Sequence, residues 1–298
     1  MTGGLHDLPG RLSRRSAKLA RAARAAVRVP LLGAVNRVSR RALVDEHAST
    51  VVSLTSYGTR LKTVHLTIES IGRGRVRPGR IVLWVDPGVV VEELPPVLLR
   101  MRERGLEIGS SPALYGPHTK YFPYVMSEAP HDALLVTADD DSLYPSHWLA
   151  ALQEGQAGTD DVVCFRAHRV RFEADGELAP YNSWGPVTDT APSPLNFATG
   201  VSGVAYPPAF LNELHELGDA FTGTCPKADD VWLHFAAVSR GRRIRQLGPR
   251  PRKFPEVMRT QATALHRENT ARTANDVQIA ATYSTEVLDV LRGTSVSS

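Results

Sequence analysis

Three consecutive aspartates, Asp139, Asp140 and Asp141, close the apolar run "LLVTA" at 134–138. A second acidic pair, Asp229 and Asp230, opens the apolar run "VWLHFAAV". Neighbouring carboxylates repel one another, so each cluster calls for a positive partner. At the end of a buried strand such carboxylates suit a hard divalent cation, Mg2+ or Mn2+, which takes oxygen ligands and shares them with substrate phosphates. If the chain stays extended through the triplet, Asp139 and Asp141 project to one side and share a site. Asp140 then projects to the other side, toward a sugar hydroxyl or a backbone amide. The plain alternative is a solvated acidic turn. The Asp229–Asp230 pair also has two readings. It is a helix cap, meeting free N–H groups and the positive end of the dipole, or it holds a general base that takes a proton from an attacking hydroxyl.

These residues need a frame, and the chain from 49 onward supplies one. "STVVSLTSYG", "RIVLWVD", "LEIGSS", "DALLVTADDD" and "DVVCFRAHRV" read as strands, rich in β-branched residues and stopped by Gly, Pro or Asp. Between them "RLKTVHLTIESIGRG", "EELPPVLLRMRERG", "KYFPYVMSEAP" (with a proline interruption) and "PSHWLAALQEG" read as helices. Strands apolar on both faces and separated by helices predict an α/β fold, a mostly parallel sheet between helix layers. Ligands of such sheets bind outside the carboxyl ends of the strands. That rim collects "TSYGTR" after the first strand, Asp86 after the second and the aspartate triplet after the fourth. The Pro- and Gly-rich stretch 183–208 reads as an ordered loop crossing the site, with Trp184 as a stacking platform for a sugar or as a packed core residue.

Charge is distributed unevenly. Residues 1–48 hold ten Lys/Arg against three Asp/Glu, so a net charge of +4 over 298 residues leaves the remainder at −3. This leader predicts a basic helix divided at Pro30. It is a solvated leader, a helix packed on the body, or a peripheral contact with an anionic membrane through its basic residues and Val29, Leu31, Leu32 and Val35. No aromatic interleaving or reading motif supports nucleic-acid binding. Two cysteines, Cys164 and Cys225, build neither a disulfide framework nor a cysteine zinc site, and a cytoplasmic setting fits. No apolar run reaches the ~18–20 residues that span a bilayer, and no secretory cleavage pattern is present.

"VVSLTSYGTR", "HTKYFPYV", "VTADDDSLYPSHWL" and "ADDVWLHF" occur in the order found in nucleotide-sugar-dependent glycosyltransferases of the GT-A fold, and the chain resembles their bacterial family-2-like members from about residue 50 to 277. The leader, 1–48, stays outside the likeness, which implies that 49–298 is the transferase domain. The resemblance implies a nucleotide-sugar donor, a carbohydrate or lipid-linked hydroxyl acceptor, and Mn2+ or Mg2+ as cofactor. It implies that Thr55, Ser56 and Tyr57 cradle the nucleoside, with Arg60 near the diphosphate and Asp86 at the base. Asp139 corresponds to the aspartate that touches ribose or metal, with Asp140 beside it among the donor-binding residues. Asp141 corresponds to a metal ligand, and Lys120 neutralises phosphate. Asp230 is the general base of an inverting displacement and Asp229 its neighbour. Some members of the fold complete the metal site with a late histidine, which in this sequence would be His266.

Two other classes compete. Asp139, Asp141, Lys227, Asp229 and Asp230 also imitate the haloacid dehalogenase-type phosphatases, although in those the nucleophile follows the first strand. The third class is a non-catalytic nucleotide- or carbohydrate-binding module.

Overall fold

The apolar runs become strands because both of their faces are covered. The computed structural model describes residues 8–257 and 274–296. β1 (Val51–Thr55), β2 (Arg80–Val85), β3 (Leu106–Ser110) and β4 (Leu135–Ala138) pair in parallel in the order β4-β1-β2-β3. β9 (Val204–Tyr206) pairs antiparallel with β4 and with β5 (Val162–Cys164), and β10 (Ile244–Gln246) lies parallel to β5 at the edge. The result is an α/β fold around a mostly parallel seven-stranded sheet.

Alternate strand residues enter different cores, as the pleat requires. Val52, Leu54, Ile81, Leu83, Val136 and Ala138 pack under α2 (Val64–Gly72), α3 (Pro96–Arg102) and α5 (Trp148–Gln156). Val51, Val82, Leu135, Val162 and Val204 pack under α4 (Phe122–Ser127), α6 (Pro208–Leu217) and α8 (Asp229–Ser239). The short helix α7 (Phe221–Thr224) leads into α8, and α9 (Ala274–Thr282) and α10 (Thr285–Val296) pack on α8 from outside.

Several sequence expectations change. "DVVCFRAHRV" is not one strand: after β5 the chain breaks, and β6 (Ala167–Arg169) joins a separate antiparallel sheet with β7 (Gly185–Pro186) and β8 (Asn196–Ala198). The stretch 183–208 is still mostly loop, but three short strands, β7, β8 and β9, are set into it, because parts of its backbone find ladders that local composition does not reveal. Trp184 is buried, donates from Nε1 to the Ala179 carbonyl at 2.9 Å and stacks edge-on against Phe197; it is a core residue. Pro123 opens α4 near its first position instead of interrupting it, where a missing N–H costs nothing.

Pro30 does not divide the leader. α1 (Leu8–Val38) runs through it as one helix. Its inner face is specified by Ala25, Leu32 and Asn36, all buried against the body, with Leu66, Leu143 and Val257 beneath. Asn36 Nδ2 donates to Glu69 at 3.2 Å, and the fully buried Glu69 pairs with Arg104 at 2.8 Å. Arg28 donates from its two terminal nitrogens to the carbonyls of Leu143 and Tyr144, at 2.9 and 2.8 Å. No helix among the described residues is long and apolar enough to cross a membrane.

Candidate active site

Five segments converge at the carboxyl ends of β1 and β4. The turn after β1 supplies Ser56 and Arg60, the turn before α4 supplies Lys120, and the triplet follows β4. The first turn of α8 supplies Asp229 and Asp230, and the bend between β8 and β9 supplies Gly200.

The triplet is not extended. The chain turns at Asp140 and Asp141, so the pleat argument fails beyond Ala138. Asp140 and Asp141 share Arg60, while Asp139 turns to Lys120. Asp140 is the buried member. It accepts from Ser56 Oγ at 2.7 Å and from Arg60 Nε at 2.8 Å, with a further bond from Arg60 Nη2. Arg60 Nη2 also reaches Asp141 Oδ2 at 3.1 Å. The guanidinium lies 5.8 Å from the Tyr57 ring centroid, within cation–π range. Burial opposes the charge on Arg60, but Asp140 and Asp141 outweigh it and raise its pKa.

The backbone of the turn is pinned from several sides. Thr67 Oγ1 donates to the Asp140 carbonyl at 2.9 Å, and the Val257 N–H donates to the Asp141 carbonyl at 2.7 Å. The Asp139 N–H donates to the Tyr144 hydroxyl oxygen at 2.9 Å, and Arg28 holds the Tyr144 carbonyl. Arg28 carries no sequence signal for this role, because it acts from more than a hundred positions away, whereas Tyr144 acts from just past the triplet.

Lys120 is the second cation. Its Nζ lies 2.9 Å from Asp229 Oδ2 and 3.4 Å from Asp139 Oδ1, and the residue is 9% exposed. Burial would lower its pKa; Asp229, Asp139 and Asp230 raise it well above the ordinary value, so the ammonium stays charged. Asp229 and Asp230 do not cap α8. Ala228 occupies the cap position without a side-chain bond, and Asp230 Oδ1 accepts from the Gly200 N–H at 2.9 Å instead. Gly200 is there for space: a Cβ would stand 2.9 Å from Lys120 Nζ and 3.3 Å from Asp230 Oδ1.

Five aspartates therefore surround two cations, and the excess negative charge is visible in the pKa values. Burial, then Asp139 and Asp140, push the Asp141 carboxyl up to about 7 against the pull of Arg60. Burial, then Asp229, push Asp230 up likewise, against Lys120 and the Gly200 N–H. A crowded carboxylate set short of positive charge suits a hard cation in chemistry. Asp139 Oδ2 and Asp141 Oδ1 accept no hydrogen bond from the described residues. Those residues include no group of three or more His, Cys, Asp or Glu arranged for a metal ion. A cation held by these carboxylates would have to take most of its oxygens from phosphate or water.

Of the remaining predicted residues, Thr55 donates from Oγ1 to the Trp84 carbonyl at 3.1 Å, beside Ser56 on the same rim. Asp86 follows β2 on the same rim, and burial alone lifts its carboxyl. His266 lies outside the described residues. Lys227 is exposed; the ammonium among the aspartates is that of Lys120.

No protein-family model matches the sequence. No curated protein matches it either. Similar solved structures include TarS, a mannosyltransferase and a 4-diphosphocytidyl-2C-methyl-D-erythritol synthase. TarS 1-349 of S. aureus is similar at 16% identity and a TM-score of 0.43, over 70% of this chain and 59% of that one. The mannosyltransferase PcManGT from Pyrobaculum calidifontis, in complex with GDP-Man and Mn2+, is similar at 16% identity and a TM-score of 0.43, over 78% and 65%. The 4-diphosphocytidyl-2C-methyl-D-erythritol synthase from Anaerococcus prevotii is similar at 12% and 0.43, over 79% and 98%. The chain thus spans less than two thirds of the two transferases' lengths. At such scores the chemistry has to be argued from this chain's own residues.

Proposed function

We propose that this protein transfers a sugar from a nucleotide diphosphate sugar to a hydroxyl acceptor, a glycan or a lipid-linked carbohydrate, with inversion at the anomeric carbon. The observation that supports it is the single cluster joining a nucleotide-side rim (Thr55, Ser56, Tyr57, Arg60) to a carboxylate, Asp230, whose pKa is raised toward neutrality. A base poised near pH 7 keeps both its proton affinity and its available fraction high. Asp230 takes the acceptor hydroxyl's proton as that oxygen attacks. The Gly200 N–H fixes the carboxylate's direction, and Asp229, tied to Lys120, holds Lys120 beside it.

Arg60 and Lys120 face the diphosphate, Asp86 the base, and Asp139 and Asp140 the ribose side. Asp139 and Asp141 would hold Mn2+ or Mg2+, which when bound neutralises charge developing on the leaving diphosphate. The mannosyltransferase neighbour carries GDP-Man and Mn2+, and TarS has been seen with UDP, in keeping with this reading. The setting it implies is the cytoplasm or the inner face of the membrane. Against the phosphatase alternative stands the position of the triplet, after the fourth strand where that class has its nucleophile after the first.

A thermal-shift screen of UDP-, GDP-, CMP- and dTDP-sugars, with and without Mn2+, tests the donor and the metal together. One donor class is expected to raise the Tm only with the metal present, and EDTA or Asp141→Asn is expected to remove the shift while the unliganded Tm holds. A shift that persists in EDTA rejects the metal assignment. Slow donor hydrolysis supports transfer, release of phosphate from a small ester supports the phosphatase class, and binding without turnover supports a binding module.

Gly200→Ala gives a finer check. The added Cβ displaces Lys120 Nζ or Asp230 Oδ1 by a few tenths of an ångström. Turnover is expected to fall on the order of tenfold, since a misplacement of about 1 Å can cost a hundredfold. Steady-state kinetics with an unchanged donor Kd would support it; wild-type turnover would remove Gly200 from the machinery.

A further inference from the structure

The helix α1 has two faces, and only the inner one is accounted for by the fold. On the outer face Leu19, Val27, Leu31 and Val38 are 71, 69, 59 and 81% exposed. Ala23, Pro30 and Ala34 are exposed between them. At 3.6 residues per turn these positions fall on one stripe, opposite Ala25, Leu32 and Asn36. The expected lipid-facing set is therefore corrected: Leu32 is buried against the body and Val29 packs beside it, whereas Leu31 faces out. A surface helix of a globular protein ordinarily turns polar side chains outward; this one turns an apolar stripe outward.

The charges beside the stripe have one sign. Residues 8–44 contain ten Lys/Arg and no Asp or Glu. Arg24 and Arg37 are exposed at the edges of the stripe, and Arg40 and Arg41 follow the helix. An apolar stripe edged with basic residues matches a helix lying in the plane of an anionic lipid interface. We propose that the outer face of α1 docks this protein onto an anionic bilayer surface, with Leu19, Val27, Leu31 and Val38 entering the lipid and the flanking arginines meeting its headgroups. Charge complementarity selects this occupant. A second copy would bring two basic stripes together, and a nucleic acid would leave the apolar side chains unburied. The docked helix holds the Leu143–Tyr144 backbone through Arg28, so the acidic turn sits about one helix diameter, ~10 Å, from the lipid. The proposal does not depend on the transferase reading.

Co-sedimentation of the full-length protein with phosphatidylcholine vesicles, with and without phosphatidylglycerol, tests it. Binding is expected only to the anionic vesicles and is expected to weaken with salt, as the Debye length shrinks below about 8 Å. Val27→Asp with Leu31→Asp is expected to lower vesicle affinity at least about tenfold, the loss of one buried aliphatic side chain. Arg24→Gln with Arg37→Gln is expected to lower it roughly thirtyfold at low salt, each basic residue at such a surface being worth about fivefold. All four positions are exposed, so Tm and circular dichroism are expected to match the wild type. The proposal is overturned if the intact protein stays in the supernatant, or if the apolar variant binds vesicles as the wild type does. A dimer in sedimentation equilibrium that Val27→Asp dissolves would make the stripe a self-association face and overturn it. So would a DNA duplex bound more tightly than vesicles and indifferent to the apolar substitutions.

Discussion

Asp230→Asn is expected to lower kcat by about two to four orders of magnitude, the usual contribution of a positioned carboxylate base, with donor Kd nearly unchanged. Asparagine keeps the shape and still accepts from the Gly200 N–H through its carbonyl oxygen, so the helix and the bend stay in place. What disappears is the proton acceptor. The pH profile adds a second readout. With its pKa raised to about 7, Asp230 is protonated below that pH, so wild-type kcat/KM should climb as pH rises through about 7. In the variant the part of that limb that belongs to Asp230 should be lost, leaving only what Asp141, also raised to about 7, contributes.

Stability should move the other way. The folded state keeps a proton on Asp230 up to about 7, whereas the unfolded chain releases it near 4. The folded state thus binds more protons in that window, and the contribution of this group to stability falls as pH rises through it. Asparagine carries no such penalty, so the variant is expected to melt at a higher temperature than the wild type above pH 7 and to match it near pH 4. Lost donor binding, or a lower Tm at every pH, would return Asp230 to a structural role.

The strands and the strand-end aspartates were legible because they depend on local information. "LLVTA" is apolar on both faces because both faces of β4 are covered, and the acidic turn begins where that burial stops. Arg60, Lys120 and the Asp229–Asp230 pair could be chosen by type and order, and the fold brings them together. What local reasoning missed comes from distant partners. The alternation expected through Asp139, Asp140 and Asp141 fails because Arg60, 80 positions upstream of Asp140, draws two of them to one side of a turn. Gly200 looked like a loop residue; its role is set by Lys120 and Asp230, which surround it. The leader was readable as a basic helix, but which side faces the body is decided by Glu69, Leu66 and Leu143, none of which is near it in sequence.

Lys120→Met is expected to destabilise the protein by about 3–5 kcal/mol at neutral pH, the range for removing one partner of a buried ion pair. Asp229 is the main reason. It is 7% exposed and lies 2.9 Å from the ammonium, so without Lys120 it becomes a buried carboxylate with no cation. Asp139 and Asp230 lose the same neutralising charge. The methionine stem replaces most of the lysine's packing, which leaves charge as the main difference. That difference has a pH signature. Carboxylates stripped of their cation have raised pKa values, and acid protonates them, so the Tm gap between wild type and variant should narrow from pH 7 toward pH 4. Scanning calorimetry across that range decides it: a gap independent of pH would show that Lys120 acts through packing. Lys120→Arg separates charge from shape. It restores the cation but places a planar fork where the Nζ already stands 2.9 Å from the Cβ position of Gly200. The arginine variant should therefore recover much of the stability and, if Asp230 is the base proposed above, little of the turnover, since the fork would crowd the Gly200 bend from which Asp230 accepts its hydrogen bond.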